Sequence, residues 1–190
     1  MKRNMYNIFA NIIRILIIGI FIFKVTVKDY SHLEMIPLTL IMTFYDKILE
    51  NILKIKLGNV LKFFLLFFIF FAQILGTALY FYQIFEWWDI FLHTLSGVLA
   101  YFVGIDILKS YCKKTPPKIV CFLFAICFSM STGVIWEIFE FLADHFLGKN
   151  AQMARGKKGL AAVEDTMIDL ICLTIGTLFS CSYHALKKKK

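Results

Sequence analysis

The stretch Phe63 to Phe85, FFLLFFIFFAQILGTALYFYQIF, contains no charged residue. A helix needs about 20 mostly apolar residues to cross the hydrocarbon core of a bilayer, and this run supplies them. Working outward, residues 119–136 are also free of charge, and the pattern continues helically to about Phe146. Residues 90–105 hold His93 but no Asp, Glu, Lys or Arg, residues 170–183 are uncharged, and residues 4–23 carry one charge, Arg14. These are five spans. The stretch 30–50 is weaker because it contains Glu34, Pro37, Asp46 and Lys47. It is read as a sixth span, or else as an interfacial helix that leaves five.

Composition agrees with an all-α, polytopic transmembrane bundle. The chain has 190 residues, 59% apolar and 18% charged, with a mean hydropathy of +0.73. A soluble domain is about 45–50% apolar and 25% charged. That excludes a disordered chain and a secreted disulfide scaffold, and argues against a soluble enzyme. The five cysteines form no CxxC pair, and four lie in apolar runs, so free thiols are expected. No linker or repeat interrupts the sequence, so residues 1–190 are read as one integral membrane domain. The N-terminal Met-Lys-Arg followed by apolar residues imitates a signal peptide. Without a small-x-small cleavage site it reads as an uncleaved anchor.

The net charge of +8 is arranged between the apolar runs, which points to topology signals and anionic lipid, not to nucleic acid. With six spans and the N-terminus inside, inner segments hold 14 Lys and Arg and outer segments 6. This predicts a multi-pass membrane protein with a cytoplasmic C-terminus. If 30–50 does not span, the N-terminus moves outside and the last four spans keep their direction.

The ionisable residues within the spans concentrate on three helices. Asp89, His93 and Gly97 follow at intervals of four; Gly133, Glu137, Glu140 and Asp144 at four, three, four; Asp165, Asp169, Cys172 and Gly176 at four, three, four. Each set occupies one helical face, and each stripe then turns small, which suits close helix packing. In the predicted topology the three acidic stripes meet in the outer third of the bilayer. Two like charges about 4 Å apart repel by roughly 4 kcal/mol at an effective dielectric of 20. The acids must therefore be protonated, paired or bridged by a cation. Asp89 and Asp165 also suit helix starts as caps. Asp144 lies near a helix end and can sit in outer water, and Arg14 is expected to pair with an acid or to snorkel. Trp87 and Trp88 read as interface anchors.

The pattern Asp89-x-x-x-His93-x-x-x-Gly97, Trp136-Glu137-x-x-Glu140 and Asp165-Thr166-x-x-Asp169 with Gly176 resembles the YjdF-type family of small bacterial inner-membrane proteins. The resemblance covers about residues 86–180, and VanZ-like proteins share a looser order. Here Trp136 stands where that family has Tyr, and the loop Gly156-Lys157-Lys158-Gly159 is more basic than its acidic turn. The resemblance implies a polytopic inner-membrane protein and brings no established activity.

Three functions remain open at this point. The first is a protein that binds a cation or an anionic lipid headgroup. Its metal-ligand candidates are Asp89, His93, Glu137, Glu140, Asp165 and Asp169, and its headgroup candidates are Arg155, Lys157 and Lys158. The second is a metal-dependent enzyme acting on a membrane lipid or polyprenyl phosphate, with His93, Glu137 and Glu140 as catalytic candidates. The third is a proton- or cation-coupled transporter. A divalent cation is the cofactor such a site would take, and membrane lipids are the expected partners.

Overall fold

The structure is a computed structural model that describes residues 2–114, 116–148, 150–152 and 158–186, without the side chains of 2–4, 161 and 162. The described residues are helical, with no strand. They form two compact units, Met1–Trp88 and Asp89–Lys190. Among the described residues, five helices are long and apolar enough to cross a membrane: Met5–Thr26, Asn59–Ala78, Trp88–Tyr111, Lys118–Leu147 and Glu164–Leu186.

The first unit holds α1 (Lys2–Thr26), α2 (Met35–Met42), α3 (Tyr45–Leu53), α4 (Asn59–Ile69, prolonged by widened turns over Phe70–Ala78) and the short α5 (Phe81–Ile84). Phe9 packs its ring against Phe63 and Phe67 at 4.1 and 4.9 Å. At the other end Lys24 Nζ donates to the Ala78 carbonyl at 2.9 Å. Residues 9 to 24 and 63 to 78 therefore advance together, so α1 and α4 run parallel. The chain must return between them through residues 27–58.

The stretch 30–50 makes this return, but not as the single helix expected of a sixth span. It breaks at Thr43 and Phe44, between α2 and α3. The cause is Arg14. Its guanidinium donates to Thr43 Oγ1 (2.9 Å) and to the Thr43 carbonyl (3.0 Å), and lies 3.8 Å over the Phe44 ring. It satisfies the negative end of α2 instead of pairing with an acid. Ile36, Pro37 and Leu40 of α2 line one apolar groove with Ile17 and Phe21 of α1, so α2 is antiparallel to α1. Of the charges that weakened this stretch, Asp46 is paired at its end, together with Glu50. Lys62 lies 2.7 Å from Glu50 and 3.8 Å from Asp46. The Tyr45 hydroxyl donates to the Lys62 carbonyl, and Glu50 accepts the Leu57 N–H at 3.0 Å.

The charge-free run of residues 63–85 is likewise not one helix. It ends at Ala78, where Leu79 N–H reaches back five residues to the Ile74 carbonyl (2.9 Å) and Tyr80 turns left-handed at φ 64°. Buried Lys24 takes the Ala78 carbonyl and pairs with Asp29 at 2.7 Å, and the Tyr80 hydroxyl donates to the same carboxylate at 3.1 Å. The Lys24 ammonium, with its hydrogen bond to Asp29, holds that carboxyl below the usual Asp value. Trp87 is exposed, as an anchor should be, but Trp88 is buried among Phe71, Phe81 and Trp87. Packing with aromatic neighbours has outbid the interface for Trp88.

The second unit packs α6 (Trp88–Tyr111), α7 (Lys118–Leu147) and α8 (Glu164–Leu186), the last preceded by a single tight turn over Gly159–Ala162. Gly148, left-handed at φ 62°, ends α7. Glycines set the helix spacing. A Cβ on Gly97 would stand 2.1 Å from the Leu173 carbonyl, and one on Gly176 would stand 2.0 Å from the Thr94 carbonyl. A Cβ on Gly133 would meet Leu173 Cδ1 at 2.5 Å. Backbone contact of this kind is how helices associate where lipid removes the hydrophobic drive.

Candidate metal centre

The intervals of four on α6 place Asp89 and His93 one above the other, a turn beyond Gly97. Because Gly97 touches the backbone of α8, and Gly133 of α7 touches Leu173, the polar residues one turn further along each helix are drawn together. His93 is 9% exposed, Glu137 5% and Asp169 2%. His93 Nε2 lies 3.5 Å from Asp89 Oδ1 and 3.8 Å from Asp169 Oδ2. His93 Nδ1 lies 3.9 Å from Glu137 Oε1.

One atom each from Asp89, His93 and Asp169 falls within 4.8 Å of the others, a set that could hold a metal ion. Both Glu137 oxygens and Asp169 Oδ2 are buried without a hydrogen-bond partner. Buried carboxylates left in this state are costly. Two carboxylates and an imidazole nitrogen turned to a common point are a donor set for a divalent cation.

The other candidates stand apart from this group. Glu140 is half-buried and accepts the Trp136 indole N–H at 2.9 Å. Asp165 is half-buried in the first turn of α8, one turn ahead of Asp169 and outside the three-ligand set. Asp144 is structural. Its carboxylate accepts the Ala151 and Gln152 N–H groups at 2.6 and 3.1 Å and shapes the chain leaving α7. Lys158 is exposed, and Arg155 and Lys157 lie outside the described residues.

Sequence reasoning took the stripes beyond the acids as small, and it missed three polar contacts. Ser129 and Thr177 share a buried hydrogen bond of 2.7 Å, and Ser129 also donates to the Gly97 carbonyl at 3.2 Å. Beyond them the Tyr101 hydroxyl meets His184 Nδ1 at 3.1 Å. The signal was present, since Tyr101 continues the 89, 93, 97 interval and Thr177, Ser180 and His184 continue the α8 stripe. Between these contacts and His93, Leu173 is buried against Gly97 and Gly133.

A relative from Thermotoga maritima, described as an uncharacterized protein, is 34% identical over 112 residues. The match covers 57% of this chain and 53% of that protein, so the chain spans about half the length of the relative. No solved structure matches. The family of predicted membrane proteins DUF2238 matches residues 8–190. The chain belongs to that family.

Proposed function

We propose that this is a multi-pass membrane protein that binds a divalent cation between α6, α7 and α8, with Asp89, His93 and Asp169 as ligands. The supporting observation is the buried carboxylate set around one imidazole. Three acidic side chains stand 3.5–3.9 Å from His93, and buried oxygens among them have no donor. A cation satisfies such oxygens and removes their mutual repulsion. The YjdF-type resemblance is consistent with this assignment, since its spaced residues include the three ligands.

The charge bias supports an α7–α8 connection outside and a C-terminus in the cytoplasm. Arg155, Lys157 and Lys158 then lie in the same extracytoplasmic connection that leaves the Asp144 cap. A phosphate headgroup is the ligand class that such a loop and a bound cation would share. Packing of Leu173 beneath the cluster favours a site reached from one side over a through-path for ions.

A second reading has its own support. Both ring nitrogens of His93 face carboxylates, which an imidazolium would also satisfy without a metal. Elemental analysis of the purified full-length protein, stripped with chelator and reloaded with Mn²⁺, decides between them. About one ion per chain supports the cation site, and none supports the imidazolium hub.

A further inference from the structure

On the cation-site reading, we infer that Glu137 is not a ligand but the residue that positions His93, accepting its Nδ1–H so that Nε2 is presented to the ion. The two ring nitrogens face different partners. Nε2 faces Asp89 and Asp169, the two other members of the ligand set. Nδ1 faces Glu137 Oε1 on the opposite edge of the ring. Glu137 falls outside the group whose atoms lie within 4.8 Å of one another.

A metal-bound imidazole needs its second nitrogen protonated and held, commonly by a carboxylate, and this fixes both the tautomer and the ring plane. Glu137 is placed for that, with the Thr166 side chain of α8 as a further polar neighbour. It is buried, its oxygens accept no hydrogen bond, and its neighbours Trp136 and Ile138 point out of the bundle. One turn away, Gly133 of α7 and Gly97 of α6 both lie against Leu173 of α8, which seats the helices that carry Glu137 and His93 on the same residue. Nitrogen among the ligands also selects for an imidazole-binding transition ion over Mg²⁺ or Ca²⁺, which take oxygen sets.

Full-length protein in detergent, loaded with Co²⁺, provides the test. Glu137→Leu is expected to weaken Co²⁺ binding by roughly 10–100-fold, with stoichiometry and visible-band intensity unchanged. Glu137→Gln keeps an oxygen for Nδ1–H and should restore most of that affinity. ¹⁵N NMR of the Zn²⁺-loaded wild type should show His93 bound through Nε2 with a protonated Nδ1, a readout that requires no variant to fold. Binding through Nδ1, a changed band intensity in Glu137→Leu, or full affinity in that variant would each overturn the positioning role. If the wild type binds neither Co²⁺ nor Zn²⁺, the cation site itself fails and this inference with it.

Discussion

Gly97 lies directly against Leu173: a side chain on Gly97 would begin 2.1 Å from the Leu173 carbonyl oxygen. The atom it would strike is backbone, so no rotamer change relieves the clash, and α6 and α8 must part. Overpacking of this kind costs about 1–3 kcal/mol, and more where the backbone must move. Gly97→Ala and Gly176→Ala are each expected to lower the thermal unfolding temperature in detergent. Because the same contact draws His93 toward Asp169, Gly97→Ala should also weaken cation binding. Unchanged melting would show that the helices are not in backbone contact.

Glu137→Leu is expected to impair cation binding more than Asp144→Asn. Glu137 is buried beside His93, whereas Asp144 holds two backbone N–H groups that an Asn oxygen can still in part accept. Glu137→Gln should leave the melting temperature near that of the wild type, because it removes one charge from a repelling set. A sharp loss of stability in Glu137→Gln together with full cation affinity in Glu137→Leu would make Glu137 a structural partner only.

The parallel course of α1 and α4 predicts six passages and both termini on one side. The charge bias cannot decide this: exchanging Lys2 and Arg3 for Lys24 and Lys28 leaves the count at 14 against 6 whether five or six passages are made. Single-cysteine labelling in a cysteine-free background can decide it. A cysteine at Asn4 should react only after permeabilisation, and one at Ala151 should react from outside. Outside labelling at Asn4 would mean that residues 27–58 do not return across the membrane.

Asp29 makes the first unit sensitive to acid. Its carboxyl is held below its usual value of 3.8, first by the hydrogen bond from Lys24. A depressed carboxylate contributes stability above its unfolded pKa and loses it as pH falls through the folded one. Stability should therefore hold above about pH 5 and decline below the ordinary Asp range. Asp29→Asn should be less stable at neutral pH and flatter across that acid window, as followed by circular dichroism.

Much of the fold was legible because bilayer length and charge exclusion act on single residues. The spans around residues 90–105, 119–146 and 170–183 emerge as α6, α7 and α8. What the sequence hid depends on contacts between distant segments. Arg14 breaks the 30–50 stretch because Thr43 folds back onto it, and Lys24 ends the charge-free run at Ala78. Helical spacing named the residues of the acidic cluster, but spacing cannot distinguish the side of an imidazole ring. In the folded chain Glu137 stands at Nδ1 of His93, whereas Asp89 and Asp169 stand at Nε2. Glu140 shares the Glu137 stripe yet turns to Trp136, a choice made by an indole N–H four residues away.

The most direct test of the account is a Mn²⁺ titration of the full-length protein followed by electron paramagnetic resonance, wild type beside Asp169→Asn. Asp169 is 2% exposed, and its Oδ2 has no hydrogen-bond donor. The account predicts one Mn²⁺ per chain in the wild type and a loss of at least about 10-fold in affinity when that oxygen becomes an amide. No binding in the wild type, or equal binding in Asp169→Asn, would contradict a cation held between α6 and α8.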